Sequence, residues 1–375
     1  MRSASPDFNR NLHCLLGLPF DAVTLAQAVD QIRSAIEQRS PCFVSTPNLN
    51  FLIAAQSQTA FRDSVIHSDL SLADGMPIVW LAKLMGLPIR ERVAGSDVFE
   101  ALRNGTGKKV KVYFFGGPPG IAERAATQIN AERKGMECVG FESPGYGSVE
   151  EMSSASTIAK INRSGADFLV VSLGAAKGQA WIEHNLSALD VPVVSHLGAV
   201  VNFVVGAVQR APRWMQKTGL EWLWRVKEEP GLWRRYFDDG KALIKLCATR
   251  IPLGLAYTWR FNAQTRRDQN SDFRLLESSD GKYFQLYGRC TEDHIREFRS
   301  ACVRLSSCAQ RYSIDVSYMQ YIDSAFLAML AMLFQHRMRI ARPITLVCAQ
   351  SGNTHGLRIQ RELGLTSISP APMTD

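Results

Sequence analysis

Apolar and polar positions follow two rhythms through the first 210 residues. Short continuous apolar runs, typical of buried strands, precede stretches in which apolar residues recur every three or four positions, as on one face of a helix. The predicted strands span residues 42–45, 70–73, 110–115, 168–173 and 191–195, and the predicted helices 25–37, 51–56, 77–85, 121–133 and 179–186. This order predicts an α/β fold with a Rossmann-like, mainly parallel sheet.

The pattern changes after Pro212, where two helices are predicted over residues 219–228 and 230–247. Apolar and aromatic residues fall on one face of the second helix, and arginines and lysines supply the remainder. A basic amphipathic helix rich in aromatic residues is typical of a membrane surface, but the same pattern describes a helix packed on a protein core. The pattern leaves both interpretations open.

A second α/β pattern follows a polar stretch that ends at residue 272. Its predicted strands span residues 284–288, 313–317 and 344–348, and its predicted helices 292–306, 324–335 and 355–363. We therefore predict three parts: a first domain over residues 1–250, a linker over 251–272 and a small α/β domain over 273–375.

Composition narrows the class of protein. Of the 375 residues, 46% are apolar and 21% are charged, as in folded globular chains. No apolar run reaches the roughly 18 residues of a membrane-spanning helix, and the first eleven residues lack the apolar core of a signal peptide. None of the eight cysteines forms a CxxC pair, which favours reduced thiols. We expect a cytoplasmic protein, with any membrane contact peripheral.

The net charge of +8 is concentrated in one stretch. Residues 210–250 contain ten lysines and arginines against five acids, and four of the seven tryptophans. A basic surface favours an anionic partner, such as nucleic acid, phospholipid or a phosphorylated small molecule. Because the tryptophans lie on apolar helix faces and form no base-stacking motif, a nucleic-acid partner is not expected.

Several polar residues and glycines come directly after predicted strands, namely Thr46, Asn48, Asp74, Gly116 and Gly174. In parallel α/β sheets, ligand sites lie beyond the carboxyl ends of the strands. Asp74 can act there as a general base toward an acceptor hydroxyl, and Thr46 and Asn48 can hydrogen-bond a substrate. Each can also cap the helix that follows, and spacing alone favours capping.

The anion-binding signals are weaker. The run Gly116-Gly117-Pro118-Pro119-Gly120 is similar to a phosphate-binding loop but matches neither a P-loop nor GxGxxG. No two aspartates stand two residues apart, so the DxD metal motif of many nucleotide-sugar transferases is absent. Backbone amides or cationic side chains, with Arg92 as a candidate, would then hold a diphosphate, and we expect neither a metal nor a cofactor. His196, at the end of an apolar strand, is interpreted as structural.

Seven short motifs occur in one order along residues 12–245. They are Thr46-Pro47-Asn48, Ala73-Asp74-Gly75-Met76-Pro77, Arg92-Val93-Ala94-Gly95-Ser96-Asp97, Phe115-Gly116-Gly117, Gly145-Tyr146, Arg210-Ala211-Pro212 and Gly219-Leu220-Glu221-Trp222, the last followed by Arg225 and Pro230. Together they resemble the WecG/TagA/CpsF glycosyltransferases, also called glycosyltransferase family 26.

The resemblance implies an inverting bacterial enzyme that needs no metal. Such an enzyme moves a sugar from a UDP-sugar onto a polyprenyl-diphosphate-linked acceptor, in polysaccharide or exopolysaccharide biosynthesis. By resemblance, Asp74 is the catalytic base, Thr46 helps to place the substrate, and the donor is contacted by Asn48, Arg92, Gly116 and Gly117. Residues 210–247 would form a helical appendage at the inner face of the cytoplasmic membrane. The resemblance implies that four arginines of this appendage contact anionic lipid or the lipid diphosphate: Arg210, Arg225, Arg234 and Arg235.

One segment departs from the family pattern. The family often carries Gly-x-Pro-Lys-Gln-Glu, whereas this chain has Gly174-Ala175-Ala176-Lys177-Gly178-Gln179. The glutamine of the pattern falls on Gly178, so Gln179, one position later, is the candidate donor contact. A second departure is Asn202, which stands where the family has a carboxylate. The change at Gly178 and Gln179 is consistent with an altered donor preference.

The C-terminal domain resembles a STAS domain, through the predicted strand 313–317 and the segment Tyr321-Ile322-Asp323-Ser324-Ala325-Phe326. In regulatory members of that group the serine in this position can be phosphorylated, which makes Ser324 a candidate phosphosite. The simpler interpretation is that Ser324 caps a helix of a docking domain.

A hypothesis of another class is a regulatory binding protein. Its STAS-like domain would bind a protein partner, and the first domain would be a degenerate sugar-nucleotide-binding domain. Turnover of a UDP-sugar separates this hypothesis from a transferase.

Overall fold

The computed structural model describes residues 6–265, 273–348, 354–364 and 369–370. The chain divides into two compact units. Among the described residues, the first consists of Val23–Leu81 with Ile89–Ala242. The second consists of residues 6–22, Ala82–Pro88 and the chain from Leu243 onward. The N-terminal segment is therefore grouped with the C-terminal part of the chain, a long-range association that local sequence patterns do not reveal.

Strands and helices alternate through the first 230 residues. The strands are β1 (Leu12–Leu15), β2 (Leu18–Asp21), β3 (Cys42–Ser45), β4 (Leu70–Ser71), β5 (Val110–Gly116), β6 (Met136–Glu142), β7 (Phe168–Ser172) and β8 (Val193–His196). The helices are α1 (Leu25–Gln38), α2 (Leu49–Ala54), α3 (Thr59–Ile66), α4 (Met76–Leu84), α5 (Gly95–Arg103), α6 (Ile121–Glu132), α7 (Ala155–Arg163), α8 (Ala175–Asn185), α9 (Val200–Val204), α10 (Arg213–Lys217) and α11 (Glu221–Glu228).

Six of these strands form the sheet of the first unit, in the order β4-β3-β8-β7-β5-β6. All five neighbouring pairs are parallel, which confirms the predicted α/β class and mainly parallel sheet. Successive residues of each strand face opposite sides, so Phe43 packs in one hydrophobic cluster and Val44 in the other. Burial on both faces explains why the central strands are continuous apolar runs.

Local sequence explains several helix boundaries. The side chain of Thr24 accepts the backbone N–H of Gln27, and the Gln27 side chain accepts the N–H of Thr24, which forms the capping box that starts α1. Strand β6 was not predicted, because exposed and polar residues interrupt its apolar positions at the edge of the sheet.

The chain beyond residue 230 begins with a short 3-10 turn, Pro230–Leu232, and continues into α12 (Trp233–Thr265). The predicted linker, residues 251–272, is therefore helical up to Thr265, and residues 266–272 lie outside the described residues. Pro252 lies inside this helix without ending it, and the nearby Leu246 and Ile251 are buried. Polar composition alone did not distinguish a solvated helix from a linker.

The second unit contains a mixed sheet and three further helices. Its remaining elements are β9 (Arg274–Glu277), β10 (Tyr283–Cys290), α13 (Ile295–Ser307), β11 (Ser313–Asp315), β12 (Met319–Ile322), α14 (Ser324–Arg339), β13 (Thr345–Cys348), α15 (Thr354–Leu363) and β14 (Ser369–Pro370). The strand order is β12-β10-β11-β13-β14, and β9 pairs antiparallel with β10. The α/β pattern predicted for this region is thus present.

Helix α14 is the centre of the second unit. Twelve of its sixteen residues are buried. The antiparallel hairpin of β1 and β2 packs on this helix together with α13. The N-terminal hairpin thereby covers apolar surface that the C-terminal residues alone would leave open.

Candidate functional site

The site is built where the strands of the first sheet end. Thr46 follows β3, Asp74 follows β4, Gly116 ends β5 and Gly174 follows β7. Because the strands are parallel, these residues lie at the same edge of the sheet. The backbone N–H of Asp74 bonds the Pro47 carbonyl at 3.0 Å, which joins the turns after β3 and β4.

Asp74 lies beside Arg92 in a cluster of charged side chains. Arg92 Nη1 is 3.8 Å from Asp74 Oδ1 and 3.5 Å from Glu221 Oε2. Arg92 Nη2 is 2.8 Å from Asp97 Oδ2. Arg210 also pairs with Asp97, and donates to Ser96 Oγ at 3.1 Å. The cluster therefore holds three carboxylates around one buried guanidinium, with a second arginine at its edge.

This environment raises the pKa of Asp74 to about 7. The largest cause is burial, which disfavours the charged carboxylate; Glu221 and Asp97 raise the pKa further by repulsion. Arg92 and the backbone N–H of Gly95 act in the opposite direction. The Asp74 side chain nevertheless keeps 28% of its surface exposed, so a carboxylate with the basicity of a general base is open to a ligand.

Arg92 is enclosed to a degree that its sequence motif does not indicate. Its side chain is only 9% exposed. Besides the three carboxylates, Nη2 donates to Gln216 Oε1 at 2.9 Å. For Arg92 to bind a diphosphate, one of these partners would have to give way.

The polar residues after β3 are already engaged within the protein. The Asn48 side chain accepts the backbone N–H of Phe51 at 3.2 Å and caps α2. Thr46 is buried against Gly95, where an added Cβ would stand 3.0 Å from Thr46 Cγ2. Gly95 is thus the position that lets Thr46 and the start of α5 approach each other.

Gln179 and the glycines after β5 lie along the same edge. Gln179 is buried, and its Nε2 donates to Ser45 Oγ at 2.9 Å, whereas its Oε1 has no partner among the described residues. At Gly116, with φ of 100°, an added Cβ would stand 2.7 Å from the Ser172 carbonyl oxygen. At Gly117 nothing lies within 4 Å. The chain therefore packs tightly at Gly116 and opens to solvent at Gly117.

His196 fills the end of β8. An added Cβ at Gly178 would stand 2.2 Å from His196 Cδ2, and one at Gly198 would stand 3.1 Å from Nε2. Burial lowers the pKa of His196 to about 4, so the ring is neutral at physiological pH. These contacts support a structural role for His196, because its ring leaves room only for a glycine at position 178.

The helical appendage, residues 210–247, packs beside this edge through its first part. Gly219 lies against Met76 and Trp80 of α4, since an added Cβ would stand 2.3 Å from Trp80 Cη2. Asn50 Nδ2 donates to Asp239 Oδ1 at 3.3 Å. Through these contacts and the Arg92–Glu221 pair, the appendage reaches the turns that carry Asp74 and Asn48.

A family model described as the WecG/TagA/CpsF family of glycosyl transferases matches residues 13–254. The chain belongs to this family. It is a glycosyltransferase, as the sequence motifs predicted.

Two relatives of the transferase are N-acetylglucosaminyldiphosphoundecaprenol N-acetyl-beta-D-mannosaminyltransferases. The protein of Bacillus subtilis strain 168 is 29% identical over 60% of this chain and 86% of its own length. That of Bacillus spizizenii is 28% identical over 55% of this chain and 79% of its own length. A solved structure, the Gly74Cys mutant of arylmalonate decarboxylase in a sulfate-associated form, has 20% identity over 50% of this chain and 77% of that one. Its TM-score of 0.21 is too low to indicate a shared fold.

The four appendage arginines of the transferase have different surroundings. Arg225 lies 3.7 Å from Glu229, and Arg235 lies 3.9 Å from Asp239, each one helical turn along its own helix. Arg234 lies over the Trp233 ring at 5.5 Å. Arg210 is drawn into the Asp97 cluster. Arg234 and Arg235 therefore remain at the surface, whereas Arg210 belongs to the site.

The same appendage exposes aromatic side chains. Between 44% and 60% of the surface of each of these residues is exposed: Trp214, Trp222, Trp233 and Phe237. The alternative interpretation, a helix packed on the core by its aromatic face, is therefore wrong for Trp233 and Phe237. Among the helices of the described ranges, none combines the length and apolar character needed to cross a bilayer.

Ser324 lies at the start of α14 in the second unit of the transferase. The residue that caps the helix is Asp323, whose side chain accepts the Phe326 N–H at 2.8 Å, so the prediction that Ser324 is the cap is wrong. Ser324 Oγ instead lies 3.1 Å from His13 Nδ1. Burial is the main cause that lowers the pKa of His13.

Sequence reasoning missed three members of the charged cluster. Asp97 and Glu221 stand inside quoted motifs without an assigned role, and Gln216 lies in no quoted motif. The available signal was that Arg92 in one motif and Glu221 in another carry opposite charges. Within the described ranges, no group of three or more His, Cys, Asp or Glu residues could hold a metal ion.

Proposed function

We propose that the protein is an inverting glycosyltransferase that moves a sugar from a UDP-sugar to a polyprenyl-diphosphate-linked acceptor, in polysaccharide or exopolysaccharide biosynthesis. The names of the two Bacillus relatives support a lipid-linked acceptor, because they describe transfer to a diphosphoundecaprenol-linked sugar. The observation that carries the proposal is Asp74, a partly exposed carboxylate whose pKa of about 7 suits a base at neutral pH.

The reaction is a single displacement. Asp74 takes the proton from an acceptor hydroxyl while that oxygen forms its bond to the anomeric carbon of the donor sugar. The bond from the same carbon to the diphosphate breaks on the opposite face, and UDP leaves with the electron pair. The configuration at the anomeric carbon is therefore inverted.

The donor lies along the carboxyl edge of the first sheet. The open space at Gly117 lets the diphosphate approach the backbone there. The Gly117 N–H donates to the Ser172 carbonyl at 2.8 Å and would have to leave that partner to bind the diphosphate. Thr46 and Asn48 place the substrate beside Asp74, and Gln179 supplies a buried polar contact behind them. Arg92 meets the growing charge of the leaving group once a carboxylate releases part of its guanidinium.

The appendage brings the site to the inner face of the cytoplasmic membrane. Exposed indoles and a phenyl ring lie beside surface arginines, the combination that inserts into an anionic interface. Arg225, Arg234 and Arg235 meet lipid phosphates, and Arg210 lies nearer the reacting groups. The appendage thus explains how a protein can meet a lipid-linked acceptor as a peripheral membrane protein.

The C-terminal part, residues 273–375, is proposed as a STAS-like regulatory domain that binds a protein partner. Residues 1–250 form the catalytic domain in this proposal. Ser324 is retained as a candidate phosphosite, and its hydrogen bond to His13 gives the hydroxyl a defined position.

A donor panel tests the proposed function. The protein is incubated with individual UDP-sugars and a lipid-diphosphate-GlcNAc analogue in detergent, and UDP release is measured. At least one donor should give acceptor-dependent UDP release. A protein that binds UDP-sugars but releases no UDP with any donor would contradict the proposal and favour the regulatory hypothesis.

A further inference from the structure

Glu221, the first residue of α11, reaches the guanidinium that also faces the proposed base. Both carboxylates approach the same nitrogen, Arg92 Nη1, and Glu221 at 3.5 Å is closer than Asp74 at 3.8 Å. The other nitrogen, Nη2, is taken by Asp97 and Gln216. The positive charge of Arg92 is thus divided among three carboxylates.

This division matters for the strength of a base. An arginine in close contact with one carboxylate stabilises its charged form and lowers its pKa. A carboxylate held in that way is a weak base at neutral pH. Where a second carboxylate takes the near side of the guanidinium, the first is left less neutralised and keeps a higher proton affinity.

We propose that Glu221 is a positioning residue for the proposed base: it occupies Arg92 Nη1 and so prevents a close Asp74–Arg92 salt bridge. The inference rests on the proposed function, because it assigns Glu221 a task in the proton transfer proposed for Asp74. Glu221 is itself 30% exposed and touches the site through Arg92.

The other charged groups around the pair are consistent with this role. Asp97, from the first turn of α5, faces Asp74 and raises its pKa as Glu221 does. Arg210 pairs with Asp97 Oδ1, whereas Arg92 contacts Asp97 Oδ2. Among the described residues, Arg92 is the cation that contacts Asp74. On the far side, Glu221 faces Tyr236 of α12, whose pKa is raised mainly by burial and further by Glu221.

The position of Glu221 is set by the appendage that carries it. Gly219 lies against Trp80 of α4, and Gln216 bridges the Arg92 guanidinium and the Ala211 carbonyl, to which its Nε2 donates at 2.7 Å. The proton affinity of Asp74 therefore depends on a helix that starts almost 150 residues after it in the chain. The base is complete only when the appendage occupies this place.

The test is the pH dependence of transfer by Glu221→Gln. The amide keeps the size of the side chain but removes its charge, so Arg92 can pair more closely with Asp74. We expect the acid limb of kcat/KM to move down by about one pH unit. We also expect turnover on the alkaline plateau to fall several-fold, because a weaker base remains. Glu228→Gln is the matched control on the same helix: its carboxylate accepts the Gln209 N–H at 3.3 Å, and its profile should overlay that of the parent.

An acid limb that is unchanged in Glu221→Gln, or that moves to higher pH, would overturn the inference. A second measurement does not need activity: the thermal unfolding of the parent, Asp74→Asn, Glu221→Gln and the double variant at pH 8. Asp74→Asn should stabilise the parent more than it stabilises Glu221→Gln. If no donor is turned over while this difference appears, the proposed function fails and the coupling stands; if transfer occurs without either effect, the inference alone fails.

Discussion

The charged cluster around Arg92 and the surface of α12 use the same residue type in opposite ways. Arg92 is enclosed, with three carboxylates and an amide within reach of its two terminal nitrogens. Arg234 and Arg235 lie at the surface, and their recorded contacts are aromatic rings and one carboxylate of the same helix. All three were predicted from sequence to meet phosphate.

The difference teaches that an arginine in a motif does not by itself indicate an anion site. The side chains around the arginine determine whether it can bind an anion. An enclosed arginine already surrounded by acids organises them, whereas an exposed arginine beside aromatic rings retains its charge for an external anion. The following predictions separate the two regions.

The largest effect is expected in the enclosed cluster. Asp74→Asn keeps the size of the side chain but cannot accept the proton from the acceptor, and a positioned base typically contributes about 10²–10⁴-fold in rate. We expect kcat to fall by at least about 100-fold, with donor binding retained. Acceptor-dependent UDP release and calorimetric titration with UDP measure the two quantities.

Asp30→Asn is the control for this variant. Asp30 is an exposed aspartate of α1, and its loss should leave turnover at the parent value. Near-normal transfer by Asp74→Asn would rule Asp74 out as the base and would leave the cluster with a purely structural role.

The exposed region should show its effect in membrane binding instead. Replacing both Arg234 and Arg235 by glutamine removes two charges, each worth about 1 kcal/mol near an anionic surface. We expect binding to vesicles that contain anionic lipid to weaken by about 30-fold, and binding to neutral vesicles to change little. Vesicle sedimentation measures both. Lys108→Gln with Lys109→Gln removes the same charge from another exposed site and should bind like the parent.

A smaller contrast concerns two glycines, one packed against His196 and one on the surface of α12. At Gly178 an added Cβ would stand 2.2 Å from the His196 ring, whereas at Gly240 of α12 nothing lies within 4 Å. Gly178→Ala should lower the free energy of unfolding by about 1–3 kcal/mol, through overpacking. Gly240→Ala should raise it by up to about 1 kcal/mol, through helix propensity. Urea denaturation checks both, and His196→Ala should relieve the Gly178→Ala defect if the clash is its cause.

The sequence predicted most of the first sheet, because buried parallel strands are continuous apolar runs, and such short runs between predicted helices are best explained as strands. It also placed Thr46, Asp74 and Gly116 at strand ends, and the parallel topology brings strand ends to one edge. Edge strand β6 was missed, because its polar and exposed positions hide the pattern.

The site chemistry depended on contacts that local patterns cannot contain. Gln216 and Glu221 stand more than 120 residues after Arg92, so no spacing rule connects them. The helical course of residues 251–265 and the packing of the N-terminal hairpin on α14 have the same cause. Each of these features depends on packing between residues far apart in the chain, and local patterns in a single sequence do not show such packing.

The last effect is a pH dependence of stability that Asp74, in the enclosed cluster, should produce. In the unfolded chain Asp74 has an ordinary pKa near 3.9, whereas burial raises its pKa to about 7 in the folded protein. Between about pH 4 and pH 7 the folded state therefore binds more protons than the unfolded state. Linkage then requires this group to make the protein less stable as pH rises through that window.

Asp74→Asn removes this titration and should remove its share of the slope. The thermal midpoint of the variant should exceed that of the parent at pH 8, and the difference should shrink toward pH 4.5, where Asp74 is protonated in the folded state. Circular dichroism melts at three pH values between these limits measure the trend. Parallel curves for parent and variant would mean that Asp74 titrates alike in both states. The acids around Arg92 would then resemble the solvated side chains of α12, and the comparison between the two regions would lose its electrostatic basis.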